Sequence, residues 1–122
     1  MTEKEKLYET LGELLFVVAK ADGVIQVEEK EALDQLLANH SSGKEIKWSF
    51  NYEVNKNNSI EETYKKVIDF CKHYGPAPEY NEFISAMKTI AHASNGIDAS
   101  ESKVINSFSN DLIERFKKDL EI

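Results

Sequence analysis

The residues best suited to bind a ligand lie in two similar turns, residues 21–29 and 94–101. In each turn an aspartate or an asparagine precedes a glycine, an isoleucine follows, and a glutamate stands four residues after the isoleucine. Carboxylate and amide oxygens are the ligands that hard divalent cations prefer. One prediction is therefore a divalent metal site formed by Asp22, Glu29, Asn95, Asp98 and Glu101, with Glu28 as a further oxygen donor.

A structural interpretation explains the same residues without any ligand. Glu29 and Glu101 each stand three residues after a candidate N-cap, where a capping-box glutamate accepts a hydrogen bond from the backbone. Gly23 and Gly96 suit the ends of the preceding helices. Each glutamate also follows its glycine too closely for a calcium loop of the EF-hand type, so one turn alone offers too few ligands. Metal binding thus requires the two turns to meet, and both interpretations stay open.

Length and charge limit the classes of function. A chain of 122 residues is expected to form one domain, residues 1–122. The formal net charge of −7 argues against binding to nucleic acid or to anionic lipid, because both depend on a basic surface. The longest apolar run, residues 14–19, is too short to span a membrane, and the charged N-terminus is not a signal peptide. We therefore expect a cytoplasmic protein with no membrane insertion.

The sequence offers no catalytic constellation. Its three histidines, His40, His73 and His92, are scattered, and none has a matching cysteine or carboxylate at ligand spacing. The single cysteine, Cys71, lies on an apolar helical face, which is typical of a small buried residue. There is no glycine-rich phosphate loop and no nucleophile motif. We predict a protein that is not an enzyme.

Apolar residues recur at three- and four-residue steps along most of the chain, which predicts an all-α fold of about five to seven helices. Thr2 and Ser59 begin capping boxes, and Pro78 is placed at the first position of a later helix. The first helix begins at Glu3 and should be largely buried. The two acidic turns would give the domain an internal two-fold pseudo-repeat, with half-repeats at roughly residues 3–40 and 78–120.

Residues 44–58 allow two predictions. Ile46, Trp48, Phe50, Tyr52 and Val54 alternate with polar residues, as in a half-buried strand. A lone strand has no pairing partner, however, and Ile46, Phe50 and Val54 also match a helical four-residue step. If Trp48 and Tyr52 are exposed, they mark a surface for a protein partner, and the acidic turns are then purely structural.

The two turns also carry a family resemblance. A helix followed by Ala21-Asp22-Gly23-Val24-Ile25, Glu29 and Leu33 resembles the tellurite-resistance TerB family, and Asn95-Gly96-Ile97, Glu101 and Ile105 resemble that family's second copy of the motif. The same fold occurs at the N-terminus of membrane-anchored DnaJ-like co-chaperones. The resemblance implies an all-helical, non-enzymatic domain of stress response, whose acidic surface patch binds a divalent metal or a protein partner. Asn95 stands where the family motif has a second aspartate, which weakens the case for metal.

Overall fold

Six α-helices build the fold in the computed structural model, which describes residues 2–21, 23–56, 58–93 and 99–114. They are α1 (Glu3–Lys20), α2 (Val27–Leu37), α3 (Gly43–Lys56), α4 (Ile60–Tyr74), α5 (Glu79–His92) and α6 (Ala99–Phe108), and a π-helical turn, Ser109–Glu114, follows. No strand occurs within the described ranges. The predicted all-α fold is therefore confirmed, whereas the two-fold pseudo-repeat and the single domain over residues 1–122 stay predictions. None of the described helices combines the length and the apolar character needed to cross a membrane.

Helix α1 lies at the centre and contacts α3, α4, α5 and α6. The side chain of Thr2 caps its N-terminus by accepting a hydrogen bond from the backbone N–H of Glu5 at 3.1 Å. The predicted apolar face is fully buried, and Phe16 and Val17 extend it around the helix. Burial on several sides makes α1 the surface on which the other helices pack. Its buried apolar residues are Leu7, Tyr8, Leu11, Leu14, Leu15, Phe16, Val17, Val18 and Ala19.

Residues 43–56 form a helix, which resolves the choice between strand and helix. Ile46 and Phe50 are buried against the core, and Val54 is partly buried beside them. Trp48 and Tyr52 lie on the opposite side and are exposed. Residues two positions apart in an α-helix point in nearly opposite directions, so a helix that is apolar on two faces produces the same alternation as a strand.

Helices α1 and α3 approach each other closely at Gly12. A Cβ atom at this position would lie only 2.2 Å from the carbonyl oxygen of Ile46, so only a glycine fits. Nearby, the Ser49 hydroxyl donates a hydrogen bond to the carbonyl oxygen of Glu9 at 2.6 Å. The backbone contact at Gly12 and the hydrogen bond from Ser49 together fix the rotation of α3 about its own axis.

The connection between α4 and α5 is held by polar contacts. Gly75 ends α4 with φ of 94°, a conformation that favours glycine. The Tyr80 hydroxyl donates to the carbonyl oxygen of Gly75 at 2.7 Å and lies 3.1 Å from that of Cys71. Pro78 stands at the N-cap of α5, one position before the predicted one. In α6 and the π-helical turn that follows it, Ile105, Phe108 and Leu112 are buried.

We predict that Gly12→Ala destabilises the fold although alanine favours helices. The clash with the Ile46 carbonyl should cost about 3 kcal/mol, and the gain in helix propensity returns only about 1 kcal/mol. The net loss of about 2 kcal/mol in the free energy of unfolding is measured by urea denaturation. Asn51→Ala, on the exposed face of α3, is the control and should change stability by less than about 0.5 kcal/mol. A Gly12→Ala variant as stable as the wild type would contradict the close approach.

Candidate functional site

Two of the five predicted metal ligands fall within the described residues. Glu29 is the third residue of α2, and Glu101 is the third residue of α6. Both are buried, with exposed fractions of 1% and 2%. Asp22, Asn95 and Asp98 lie outside the described residues. The two described glutamates thus occupy equivalent positions in their helices, and both lie inside the protein rather than on its surface.

Glu29 has the role expected of a capping-box residue. Its Oε1 atom accepts a hydrogen bond from the backbone N–H of Gln26 at 2.8 Å. Leu33, one turn further along α2, is buried, and Ile25 packs against the core from the preceding turn. The glutamate is thus held between a helix start and the core. The partial positive charge at the N-terminal end of the helix also stabilises its carboxylate.

The end of α1 and the beginning of α6 lie in the same region of the molecule. A cavity of about 330 Å³ opens between α1, α4 and α6. Ala21, which follows α1 directly, lines this cavity, and so does Ser100, which directly precedes Glu101. Val17, Ile60 and Val104 give it apolar walls. The end of α1 and the beginning of α6 are therefore close enough to border one space.

The described residues alone do not complete a metal site. Within the described ranges, no group of three or more histidine, cysteine, aspartate or glutamate side chains is arranged to hold a metal ion. One oxygen of Glu29 is already engaged with the backbone. A closed site for a hard divalent cation needs about six oxygen ligands. The described glutamates would have to be joined by side chains from outside the described residues.

The outward face of α3 displays large aromatic side chains. Trp48 is 60% exposed and Tyr52 is 43% exposed. Their rings stack, with centroids 5.4 Å apart and an angle of 24° between the planes. The Nζ atom of Lys56 lies 5.6 Å from the centroid of the Tyr52 ring. Helix α3 thus carries an ordered aromatic surface that the core does not use.

Histidine 40 is engaged in structural contacts. Its Nδ1 atom accepts a hydrogen bond from the backbone N–H of Ser42 at 2.9 Å. This contact assigns the ring proton to Nε2, which lies 2.7 Å from Oε1 of Glu82 on α5. The ring also packs edge-on against Tyr8, with centroids 5.0 Å apart. With both nitrogens occupied, His40 ties the α2–α3 connection to α5 and offers no free base.

Comparison with known proteins identifies one family. The profile of the family described as "Tellurite resistance protein TerB" matches residues 9–114, which is most of the chain. The chain belongs to the TerB family. No curated protein and no solved structure is significantly similar to it. The matched residues include all of α2 to α6, both described glutamates and the aromatic face of α3.

This TerB-family chain also contains a group of charges, two partly or fully buried carboxylates and an exposed lysine, that its sequence did not reveal. Lys66 on α4 places Nζ 2.7 Å from Oε2 of Glu13 on α1 and 3.0 Å from Oε1 of Glu53 on α3. Glu53 is buried and also accepts a hydrogen bond from the Asn58 side chain. One lysine therefore joins three helices. The available sequence signal was Glu53 itself, a charged residue seven positions after Ile46 and three after Phe50, and therefore on the apolar face of a helix.

Burial and neighbouring charges shift the pKa values of Glu13 and Lys66 in opposite directions. Burial raises the pKa of the Glu13 carboxyl, and the nearby Lys66 opposes the rise without cancelling it. Burial alone would lower the pKa of Lys66, but the hydrogen bonds and charges of Glu13 and Glu53 outweigh it and raise that pKa. Lys66 therefore stays charged at neutral pH, and Glu13 is the member whose ionised form the fold disfavours.

We predict that Glu13→Gln changes how stability depends on pH. Because the folded-state pKa of Glu13 is raised, its contribution to stability is full below the unfolded pKa and is lost as pH rises through the folded pKa. The free energy of unfolding of Glu13→Gln, relative to wild type, should therefore increase as the pH rises above about 4, the ordinary pKa of a glutamate. Urea denaturation at several pH values measures this difference. Glu31→Gln, an exposed carboxylate on α2, is the control, and a pH-independent difference for Glu13→Gln would refute the assignment.

Proposed function

We propose that this TerB-family chain is a non-enzymatic, cytoplasmic binding module of a tellurite-type stress response, and that it binds a protein partner through α3. The observation that carries the proposal is the exposed stack of Trp48 and Tyr52. Tryptophan and tyrosine are enriched among the residues that contribute most to protein interfaces. Solvent-exposed aromatic side chains of this size on a regular helix are poorly explained by the needs of folding.

The engagement of His40 supports a role without catalysis. Its two ring nitrogens contact the Ser42 backbone and Glu82, so the ring is not poised as a general base. The thiol of Cys71 is buried, and burial raises its pKa to about 12, which keeps it protonated and unreactive at neutral pH. Family membership supports the assignment to a tellurite-resistance type of domain.

Replacing the aromatic stack should remove binding and spare the fold. Trp48→Ala/Tyr52→Ala alters exposed side chains only, so the free energy of unfolding should change by less than about 0.5 kcal/mol per site. Loss of a central interface tryptophan costs about 2 kcal/mol or more, which lowers affinity by about 30-fold. The measurement compares the proteins that co-purify with the wild-type chain and with the variant, in cells with and without tellurite.

Val24→Ala/Val27→Ala is the matched control for this experiment. These two residues are also large, apolar and exposed, but they lie in the α1–α2 connection and at the start of α2. The control should retain every partner that the wild-type chain binds. If the Trp48→Ala/Tyr52→Ala variant also retains them all in the same amounts, α3 is not the binding surface.

A second candidate function is the binding of a divalent cation by the acidic turns. Two observations favour it: Glu29 and Glu101 are buried at equivalent helix positions, and Ala21 and Ser100 border the same cavity. In this proposal Glu29 and Glu101 supply carboxylate oxygens and Asp22, Asn95 and Asp98 complete the ligands. Hard cations such as calcium, magnesium or manganese fit such an all-oxygen set better than softer ions.

Thermal unfolding with and without metal tests this second candidate. A cation that binds only the folded chain should stabilise it by about 2.7 kcal/mol at a concentration 100-fold above its Kd. The increase in Tm should disappear in Glu29→Gln and in Glu101→Gln but persist in Glu31→Gln, an exposed control on α2. Calcium, magnesium, manganese and zinc are compared with a chelator. If no ion raises Tm, and Glu29→Ala and Glu101→Ala lose only about 1 kcal/mol, as expected for a lost cap, the glutamates are structural.

A further inference from the structure

The aromatic pair belongs to a longer stripe along α3. Lys44, Trp48, Tyr52 and Lys56 follow one another at four-residue steps, and all four are exposed. Residues four apart on a helix lie on one face. With a rise of about 1.5 Å per residue, the stripe is about 18 Å long. We call these four residues the α3 stripe: two aromatic rings in the middle and a lysine at each end.

The charge of the α3 stripe is opposite to that of the whole chain. The net charge of the protein is −7, yet no exposed residue of α3 is acidic. Lys47, at the edge of this face, is paired with Asp34 on α2. Glu45 is half-buried, and Glu53 points inward to Lys66. Lys44 and Lys56 are thus two positive ends on a helix face without exposed acidic residues, in a protein of net negative charge.

We propose that the α3 stripe binds an acidic amphipathic helix of a partner protein. Two apolar side chains of that helix would pack on Trp48 and Tyr52, and a carboxylate on either side would pair with Lys44 and with Lys56. This inference rests on the proposed role of α3 as a binding surface and adds the chemical class of the partner. Helices that place apolar and charged side chains at such steps bind other helical surfaces in this way.

A second copy of this chain fits the α3 stripe poorly. In an antiparallel pair of stripes Lys44 would face Lys56 of the other copy, and in a parallel pair each lysine would face its own counterpart. Either arrangement brings like charges together at both ends, which disfavours the pair. Acidic residues at the partner's ends remove this repulsion.

Single-stranded nucleic acid also fits poorly. Aromatic residues beside lysines stack on bases in many such proteins, but most of the affinity comes from several neutralised phosphates. The α3 stripe supplies only Lys44 and Lys56, while the net charge of −7 repels the rest of the strand. The favoured partner therefore carries carboxylates at two points rather than a continuous line of charge.

A library of helical peptides tests the proposal. In each peptide, four surface positions at four-residue steps are varied among acidic, basic, apolar and small polar residues. Peptides that bind the full-length chain are selected, and those that also bind the Trp48→Ala/Tyr52→Ala variant are removed. We expect enrichment of peptides with acidic ends and an apolar middle. Trp48 is the only tryptophan of the chain, so its fluorescence reports binding at the α3 stripe directly.

Charge reversal provides the matched control. Lys44→Glu/Lys56→Glu should weaken binding of a selected acidic peptide at least tenfold and favour the same peptide with lysine ends. Lys72→Glu/Lys88→Glu makes the same change in net charge at exposed sites on α4 and α5 and should leave affinity within twofold. Raising the salt concentration should weaken the wild-type complex, because exposed ion pairs are screened.

Four results would overturn the acidic partner. Two concern the library: enrichment of peptides with basic or neutral ends, and the absence of any enrichment. The third is concentration-dependent self-association that Trp48→Ala/Tyr52→Ala abolishes. The fourth is a higher affinity for oligothymidine than for any peptide, measured by the quenching of Trp48 fluorescence. Each is distinct from failure of the proposed function, which the co-purification experiment decides. Enrichment of neutral-ended peptides that depend on Trp48 and Tyr52, for example, would retain α3 as a binding surface but exclude an acidic partner.

Discussion

The close approach of α1 and α3 at Gly12 is the constraint on which the rest of this structure depends. No Cβ atom fits between Gly12 and the carbonyl oxygen of Ile46, so the two backbones are in direct contact. The hydrogen bond from Ser49 to the Glu9 carbonyl fixes the same pair of helices one turn away. Because α1 is surrounded by four other helices, holding α3 against it also sets the position of α3 relative to the whole core.

The same contact explains why α3 exposes aromatic residues. Once Ile46 and Phe50 face α1, residues two positions away must face solvent, and these are Trp48 and Tyr52. Lys66 strengthens this orientation because it holds Glu53 on the inner side of α3 by an ion pair that also reaches α1. The binding surface that we propose is therefore positioned by the buried side of its own helix and by contacts deep in the protein.

The sequence was sufficient for the helices and insufficient for their contacts. Helix α1 is predicted by the apolar steps of Leu7, Leu11 and Leu14 and by the cap at Thr2, and the start of α4 is predicted by the cap at Ser59. These signals suffice because periodicity and capping are local properties. The conformation of α3 stayed ambiguous because two apolar faces mimic a strand. Gly12 and Lys66 were not predicted, since a helical glycine or an exposed lysine acquires its role only from a partner distant in the chain. For the candidate site, the helix positions of Glu29 and Glu101 were predictable, but their burial was not.

The α3 stripe is also organised before any partner arrives. Trp48 and Tyr52 already stack on each other, and Lys56 already lies over the Tyr52 ring. Side chains that are ordered in the free protein lose less conformational entropy on binding, so more of the contact energy contributes to affinity. The lysines at the ends add little affinity in water but determine which charges are accepted there. In this division the rings supply the binding energy and Lys44 and Lys56 supply the selectivity, so a partner is chosen by the charges that flank its apolar residues.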